Sequence, residues 1–399
     1  MSNPKRRPKI AIGFNQLTSY AARERLRGIL RYERLNGQWD FLLDYHSLSI
    51  PNFDYEIAGI AGYIGEERRD LTDPLIARDV PCVFFDPSPS YLESFGSYKR
   101  YSCVDSDGYA IGVMGARHFL DQHFKNFAFI DNIETHDPSV CHWSRQRRLG
   151  FEEEVRRRGH ECHVFDFSKF DPVEPKKAFR AWFTALPKPV GIMITTDERA
   201  QVLLRPCREL NFDVPEQVSI LGVDNDELLC KSAGPSLSSV DVDNYRAGFL
   251  AAELLDSLIK GKIRSPRAVC YPPVMVVQRH STEAPQYDDP LVNDVLLQIW
   301  SSHGCGFSLQ EIADQYHVSR RILEARFRAQ TGRSTLDEVQ SVRLTYVCSL
   351  LRRSENTISD IVKMCGFTSQ CYLAQFFKKK MGKTMSDYRR EILGDDFLD

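Results

Sequence analysis

Along the first 280 residues two hydrophobic rhythms alternate. Apolar runs of four to six residues at 10–14, 59–64, 82–85, 126–130, 163–167, 191–195 and 219–223 read as strands buried on both faces. Between them, residues 22–35, 109–122, 145–158, 176–186, 198–210 and 245–260 repeat apolar positions every three or four residues, the period of a helix with one buried stripe. In the last of these, Phe249, Leu250, Leu254, Leu255 and Leu258 share a face. Strand–helix alternation predicts parallel sheets covered by helices. The strands fall into two groups, before and after about residue 120, which predicts two doubly wound lobes. Ligands of such sheets sit at the carboxyl ends of the strands.

The rhythm changes at 281–290, a polar, proline-bracketed stretch that reads as a linker. Beyond it no strand is predicted, and short helices are broken by Gly304, Gly306, Gly332, Gly366 and Gly382. Ser308 with Glu311 three residues on is a capping box that opens a helix, with Ile312 and Ala313 facing inward and Val318 filling a turn. Ser319 then caps a second helix that buries Leu323 and Phe327 and exposes Arg320, Arg321, Arg326 and Arg328. This is a helix-turn-helix layout, with the second helix free to enter a major groove. It recurs about fifty residues later: a helix from 357, Gly366 where a tight turn needs a positive φ, and a helix over 370–381. That last helix buries Leu373, Phe376 and Phe377 and ends in Lys378, Lys379 and Lys380. Residues 336–352 connect the two units as one long helix.

Charge and composition sharpen the picture. The net charge of −2 conceals an asymmetry, because residues 290–391 hold 15 Lys/Arg against 10 Asp/Glu, leaving −7 for the remainder. A positive segment on an acidic chain points to a nucleic-acid partner for that segment. The apolar content of 42% and charged content of 27% fit a globular chain, and no apolar stretch is long enough for a membrane span. The basic start Lys5–Lys9 is followed by an apolar run too short for a signal peptide, so a cytoplasmic location is expected. Eleven scattered cysteines show no metal-knuckle spacing and read as reduced thiols, with no metal or cofactor implied.

The stretch ISDIVKMCGFTSQCYLAQFFKKKMGKTMSDYRR closely resembles the signature of AraC-type regulators, in its Gly-Phe turn, Phe377-Lys378, Gly382, Thr384 and Tyr388-Arg389. Met385 stands where that family usually has proline, and Ala325 where an arginine is common. The resemblance implies two recognition helices in successive major grooves. It places Arg320, Arg321 and Ala325 of the first unit, and Ser369, Gln370, Ala374 and Gln375 of the second, near bases or phosphate. Lys378, Lys379 and Arg389 are the candidates for phosphate.

Upstream, DSDGYAIGVMGARHFLDQHFKNFAFI, GIMITTDERAQVLLRPCRELNFDVPEQVSILGVDND, GPSLSSVDVDNYRAGFLAAELL and YPPVMVVQRHST match, in order, the sensor domain of LacI/GalR-type repressors and periplasmic sugar-binding proteins. The resemblance implies a two-lobed α/β sensor of the type I periplasmic-binding-protein class at 8–282, with lobes at about 8–120 plus 240–282 and at 121–239. A linker at 283–290 and an all-α domain with two helix-turn-helix motifs at 291–391 would follow. Polyols are held by ionised planar groups and an apolar ring face. Asp197 and Asp224 follow strands of the second lobe, and Asp86 and the loop 15–20 follow strands of the first. Arg147 occupies the family's ligand-binding arginine position, with Trp143 four residues before it as a stacking surface.

This sensor joined to this reader, with TTDERA, GVDNDEL and LEARFR, resembles sugar-operon regulators of mixed architecture. It implies a monosaccharide effector, D-xylose first, and a homodimer that activates sugar-utilisation genes by binding DNA half-sites and contacting RNA polymerase. Two other readings stay open. One is a constitutive DNA-binding protein whose sensor only dimerises; the other is a carbohydrate-active enzyme with Asp197 and Asp224 as paired carboxylates.

Overall fold

The computed structural model describes residues 7–14, 17–36, 39–45, 59–131, 142–165, 175–351 and 356–393. Asn15, Gln16 and Phe167, singled out above, lie outside them. The chain starts with β1 (Lys9–Phe14), α1 (Tyr20–Asn36), β2 (Asp40–Tyr45), β3 (Ile60–Gly65), α2 (Arg69–Ile76), β4 (Cys82–Phe85), α3 (Pro89–Glu93) and β5 (Tyr101–Ser106). The second group is α4 (Gly108–Leu120), β6 (Asn126–Ile130), α5 (His142–Arg157), β7 (Cys162–Phe165), α6 (Pro175–Ala185), β8 (Val190–Ile194), α7 (Asp197–Glu209), β9 (Val218–Val223), α8 (Glu227–Ser232) and β10 (Ser238–Val242). Then α9 (Asn244–Ile259) and β11 (Arg267–Tyr271) return to the first lobe, and β12 (Pro273–Val277) to the second.

Two six-stranded sheets result, ordered β11-β5-β4-β3-β1-β2 and β12-β10-β9-β8-β6-β7. All pairings are parallel except β12 against β10. The YPPVMVVQRHST stretch therefore does not return wholly to the first lobe. Its strand β12 crosses back and closes the second sheet, while only β11 joins the first.

Each lobe is locked by a helix pair packed at glycines. In the first, a Cβ on Gly28 would meet the Tyr245 carbonyl oxygen at 2.0 Å, and one on Gly248 the Arg25 carbonyl oxygen at 1.9 Å, so α1 and α9 touch backbone to backbone. In the second, Gly112 of α4 would meet the Arg147 carbonyl oxygen at 1.9 Å, and Gly150 of α5 the Tyr109 carbonyl oxygen at 2.1 Å. These close approaches place Arg25, Asn244 and Arg147 relative to the sheets.

The stretch read as a linker is packed. Ser281 and Thr282 are wholly buried, with the Ser281 hydroxyl accepting from Ser238 N (2.8 Å) and donating to the Ile220 carbonyl (2.6 Å). Gln286 N donates to the Gln122 carbonyl at 2.8 Å, and the Tyr287 hydroxyl to the Asp121 carbonyl at 3.0 Å. Tyr287 also belongs to the apolar core of the next domain. Polar composition here reflects bonds made, not freedom.

That domain comprises α10 (Pro290–Ser301), α11 (Leu309–Gln315), α12 (Arg320–Thr331), α13 (Thr335–Leu351), α14 (Ile358–Met364), α15 (Gln370–Met381) and α16 (Met385–Leu393). Its two halves repeat with an offset of 50 residues. Ser319 and Ser369 cap α12 and α15, Leu323/Phe327 and Leu373/Phe377 are buried, and Gly332 and Gly382 end the helices at φ 72° and 73°. Gly366 takes φ +64° in the second turn as its position requires; the first unit puts His317 there at φ +52°. Ser308 caps α11 as read, but the full two-way capping box forms at Thr357 and Asp360. The long helix α13 joins the units.

Replacing Gly112 by alanine should force α5 away from α4. The backbone clash outweighs the ~1 kcal/mol gained in helix propensity and should cost about 1–3 kcal/mol net. Chemical denaturation should show this as a lower midpoint at unchanged slope.

Candidate ligand cleft and DNA-reading face

The carboxyl ends of both sheets bring together charged groups from five segments. On the first lobe, Arg25 is 7% exposed although it is carried on the buried face of α1. Its Nη2 donates to Asp86 Oδ2 at 2.6 Å and to the Tyr271 hydroxyl at 3.2 Å, and its Nε to Asn244 Oδ1 at 3.2 Å. The guanidinium lies 4.7 Å over the Phe85 ring, which stacks in turn on Phe14. Asp86 sits at φ +42° just after β4, and its Oδ1 accepts from the Ser106 amide and hydroxyl at 2.7 and 2.8 Å. Burial pushes the Asp86 carboxyl up, but Arg25 and the Ser106 bonds outweigh it and hold it below the usual range. Asp105 goes the other way: burial and the adjacent Asp86 carboxylate, opposed by Arg25, push it up to about 7.

On the second lobe, Arg147 is 6% exposed, donates from Nη1 to the Thr195 carbonyl, and lies 4.7 Å over the Trp143 ring. Trp143 is half-buried, with one ring face covered by the Arg147 guanidinium. Asp224 follows β9 at φ +103°, and its amide donates to the Val240 carbonyl at 2.9 Å. Burial raises the Asp224 carboxyl; Arg147 and Arg25 pull it down and Glu198 pushes it up. One carboxylate is thus held in the field of two arginines from opposite lobes. Across the mouth, Arg23 of α1 lies 3.6 Å from Asp226 of the second lobe. Two buried polar atoms around this centre, Arg147 Nε and Thr195 Oγ1, have no partner among the described residues.

Asp197 is a correction to the sequence reading. It has no exposed surface; its Oδ2 accepts from the Asp226 amide at 2.7 Å and from the Cys230 thiol, and burial and Asp224 push its carboxyl well up. It positions the Asp224–Asp226 loop from beneath. A sealed carboxyl cannot form one half of a glycosidase pair with Asp224. Asp86 likewise has both oxygens engaged, and reaches the cleft chiefly through Arg25. Arg25, Asn244, Tyr271 and Asp105 were missed. The one available signal was Arg25 itself, which with Arg31 puts charge among the buried positions Ala22, Gly28, Ile29 and Tyr32 of α1.

Apart from Ser369 and Arg389, the residues predicted to face DNA lie on α12 and α15. Arg320, Arg321, Ala325, Gln370, Ala374, Gln375, Lys378 and Lys379 are all exposed. The hydroxyl oxygen of Ser369 accepts from Tyr372 N at 3.1 Å, so its first task is to cap the helix. Arg326 is held by both oxygens of Asp289 at 2.5 and 2.7 Å. Arg389 is a second correction. It is 7% exposed, donates to the Leu351 and Asn356 carbonyls at 3.3 and 2.7 Å, and is therefore a buried tie between α16 and the end of α13, withheld from phosphate. Among the described residues, no cluster of three or more His, Cys, Asp or Glu could hold a metal, and no helix is long and apolar enough to cross a membrane.

Comparison with known proteins follows this division. Residues 116–282 match a periplasmic binding protein-like domain and residues 312–391 a helix-turn-helix domain. The xylose operon regulatory protein of Haemophilus influenzae is 27% identical over 391 residues, covering 96% of this chain and 98% of that protein. Its Escherichia coli namesake is 27% identical over 395 residues, covering 96% and 97%. The solved structure of the xylose-binding transcription activator xylR is similar at a TM-score of 0.58 and 25% identity, over 97% of this chain and 99% of that one.

Two outcomes test the geometry. Asp105→Asn should leave stability unchanged below about pH 4 and raise it above about pH 7, because the wild-type carboxyl, raised from 3.8 to about 7 on folding, is penalised when ionised; urea midpoints across that range report the difference. Arg389→Ala should cost about 1–3 kcal/mol by stranding two carbonyls, whereas Lys379→Ala should change stability by less than about 0.5 kcal/mol.

Proposed function

We propose that this chain, a periplasmic-binding-protein-like sensor joined to an AraC-type helix-turn-helix reader, is a transcription regulator of sugar-utilisation genes controlled by a monosaccharide, D-xylose first. The observation that carries the sugar reading is the pair of unpartnered buried atoms, Arg147 Nε and Thr195 Oγ1, beside Asp224. A buried donor without a partner costs about 1–3 kcal/mol, and a polyol supplies one hydroxyl for each. Asp224 and Arg147 would exchange paired bonds with adjacent hydroxyls, and Trp143 would cover a ring face. The full-length likeness to xylose operon regulatory proteins supports a pentose.

In this reading residues 8–282 sense, 283–290 connect and 291–391 bind DNA. Arg320, Arg321, Gln370 and Gln375 address base edges, Ala325 and Ala374 allow close approach, and Lys378 and Lys379 neutralise phosphates. Sugar favours the closed lobes, and Arg23–Asp226 is a contact that closure makes. The ligand shifts the equilibrium only by its differential affinity for the two arrangements, commonly about 1–3 kcal/mol. A homodimer would then seat its readers on repeated half-sites and contact RNA polymerase as an activator.

Calorimetry with D-xylose and a panel of other pentoses and hexoses tests the sensor, and binding to a duplex selected from random sequence tests the reader. Arg147→Ala and Asp224→Ala should each weaken sugar binding by about 10- to 150-fold without altering basal DNA affinity. Heat from another sugar alone would replace the effector. Sugar binding that leaves DNA affinity unchanged would overturn the coupling and favour a sensor that only dimerises.

A further inference from the structure

The connection between α10 and α11 is bent over the second helix-turn-helix unit. Gly304 and Gly306 both take positive φ, 70° and 66°. Arg343 of α13 donates to the Gly304 carbonyl from Nε and Nη2 at 3.1 and 2.5 Å, and its guanidinium lies 5.2 Å over Phe367. His303 stacks on Tyr346 at 4.3 Å. These contacts turn half-exposed Cys305 onto the apolar core that holds Cys365, the wholly buried C-cap of α14, and the Cys305 thiol donates to the His303 carbonyl at 3.5 Å. The backbone is close as well: a Cβ on Gly366, next to Cys365, would lie 3.9 Å from the Cys305 side chain. Cys305 precedes the first reading unit and Cys365 sits in the turn of the second.

We propose that Cys305 and Cys365 are a peroxide-responsive thiol pair whose disulfide clasps the first reading unit to the second. The Cys305 thiol is pulled down to about 7, by the neighbouring Cys365 thiol and by Arg343 against the opposing effect of burial, while the Cys305 thiol and burial push the Cys365 thiol up. Cys305 is therefore the nucleophile, poised where thiolate fraction and reactivity are both high. Its thiolate attacks one oxygen of a hydroperoxide, the O–O bond breaks, and the departing oxygen leaves as water or alcohol, giving a sulfenic acid. Cys365 sulfur then attacks that sulfenyl sulfur, the S–O bond breaks, and the hydroxyl leaves as water with the Cys365 proton. Two thiols are oxidised to one disulfide and one peroxide is reduced. The other exposed or half-exposed thiols among the described residues, Cys162, Cys270 and Cys371, lie elsewhere, and the Cys371 sulfur accepts from Gln375 Nε2 at 3.7 Å.

The test treats the full chain with a small excess of hydrogen peroxide, alkylates the remaining thiols and maps non-reduced peptides. The expected result is loss of two thiols per chain and a linked Cys305–Cys365 peptide that dithiothreitol removes, with a rate rising through about pH 7. Cys371→Ser should behave like the parent, and Cys305→Ser should lose the fast phase. Cys365→Ser should leave a sulfenic acid at Cys305 that dimedone traps; should burial make that variant unstable, peptide mapping of the parent decides alone. Absence of the linked peptide with Cys305 alkylated at the rate of an ordinary thiol, or oxidation directed to Cys371 between chains, would overturn the proposal.

Discussion

The sensor is organised around one buried positive charge. A guanidinium taken out of water costs several kcal/mol unless its bonds are replaced, and Arg25 replaces them with groups from three separate segments. Asp86 follows β4, Tyr271 ends β11, Asn244 opens α9 and Phe85 offers its ring. Each partner must arrive at a set place, and the glycine contacts between α1 and α9 fix the distance at which they do. The carboxyl edge of the first lobe is in this sense the solvation shell of Arg25. The arrangement also sends a positive field across to Asp224, so the two lobes are electrostatically matched before any ligand is considered.

Most of this architecture was legible because both lobes obey simple periodicities. The seven strands read from apolar runs all exist within a residue or two, and so do the six long helices except α5, which starts three residues earlier than read. The apolar strands β2 and β12 were also not singled out, and the other omissions have physical causes. β5 (YSCVDS), β10 (SSVDV) and β11 (RAVCY) carry polar residues near the domain crossings, and α2, α3 and α8 are too short for a period to register. The site was half legible. Asp224, Arg147 and Trp143 stand where loops and likeness put them, but burial was invisible in the sequence. It separates Asp197, sealed beneath its loop, from Asp224 above it, and Arg389, tied to carbonyls, from its exposed neighbours.

The join between sensor and reader is not slack. Tyr287 is shared between the Asp121 carbonyl, the His123 ring at 4.2 Å and the core of the first reading unit. On the other side Met275 of β12 packs against the core of the second unit. The antiparallel strand that closes the second sheet and the connector that follows it thus touch both halves of the reader. A change in the tilt of that sheet has a direct mechanical route outward, with little loose chain to absorb it.

The 50-residue repeat of the reader is an equality of scaffold and an inequality of surface. The same capped, glycine-terminated helix carries Arg320 and Arg321 at its start in one copy and Gln370 and Cys371 in the other. The two copies also follow one another in the chain, one before α13 and one after it. An object with two unlike ends has a heading. Laid along a duplex, such a chain distinguishes upstream from downstream without any help from a second molecule.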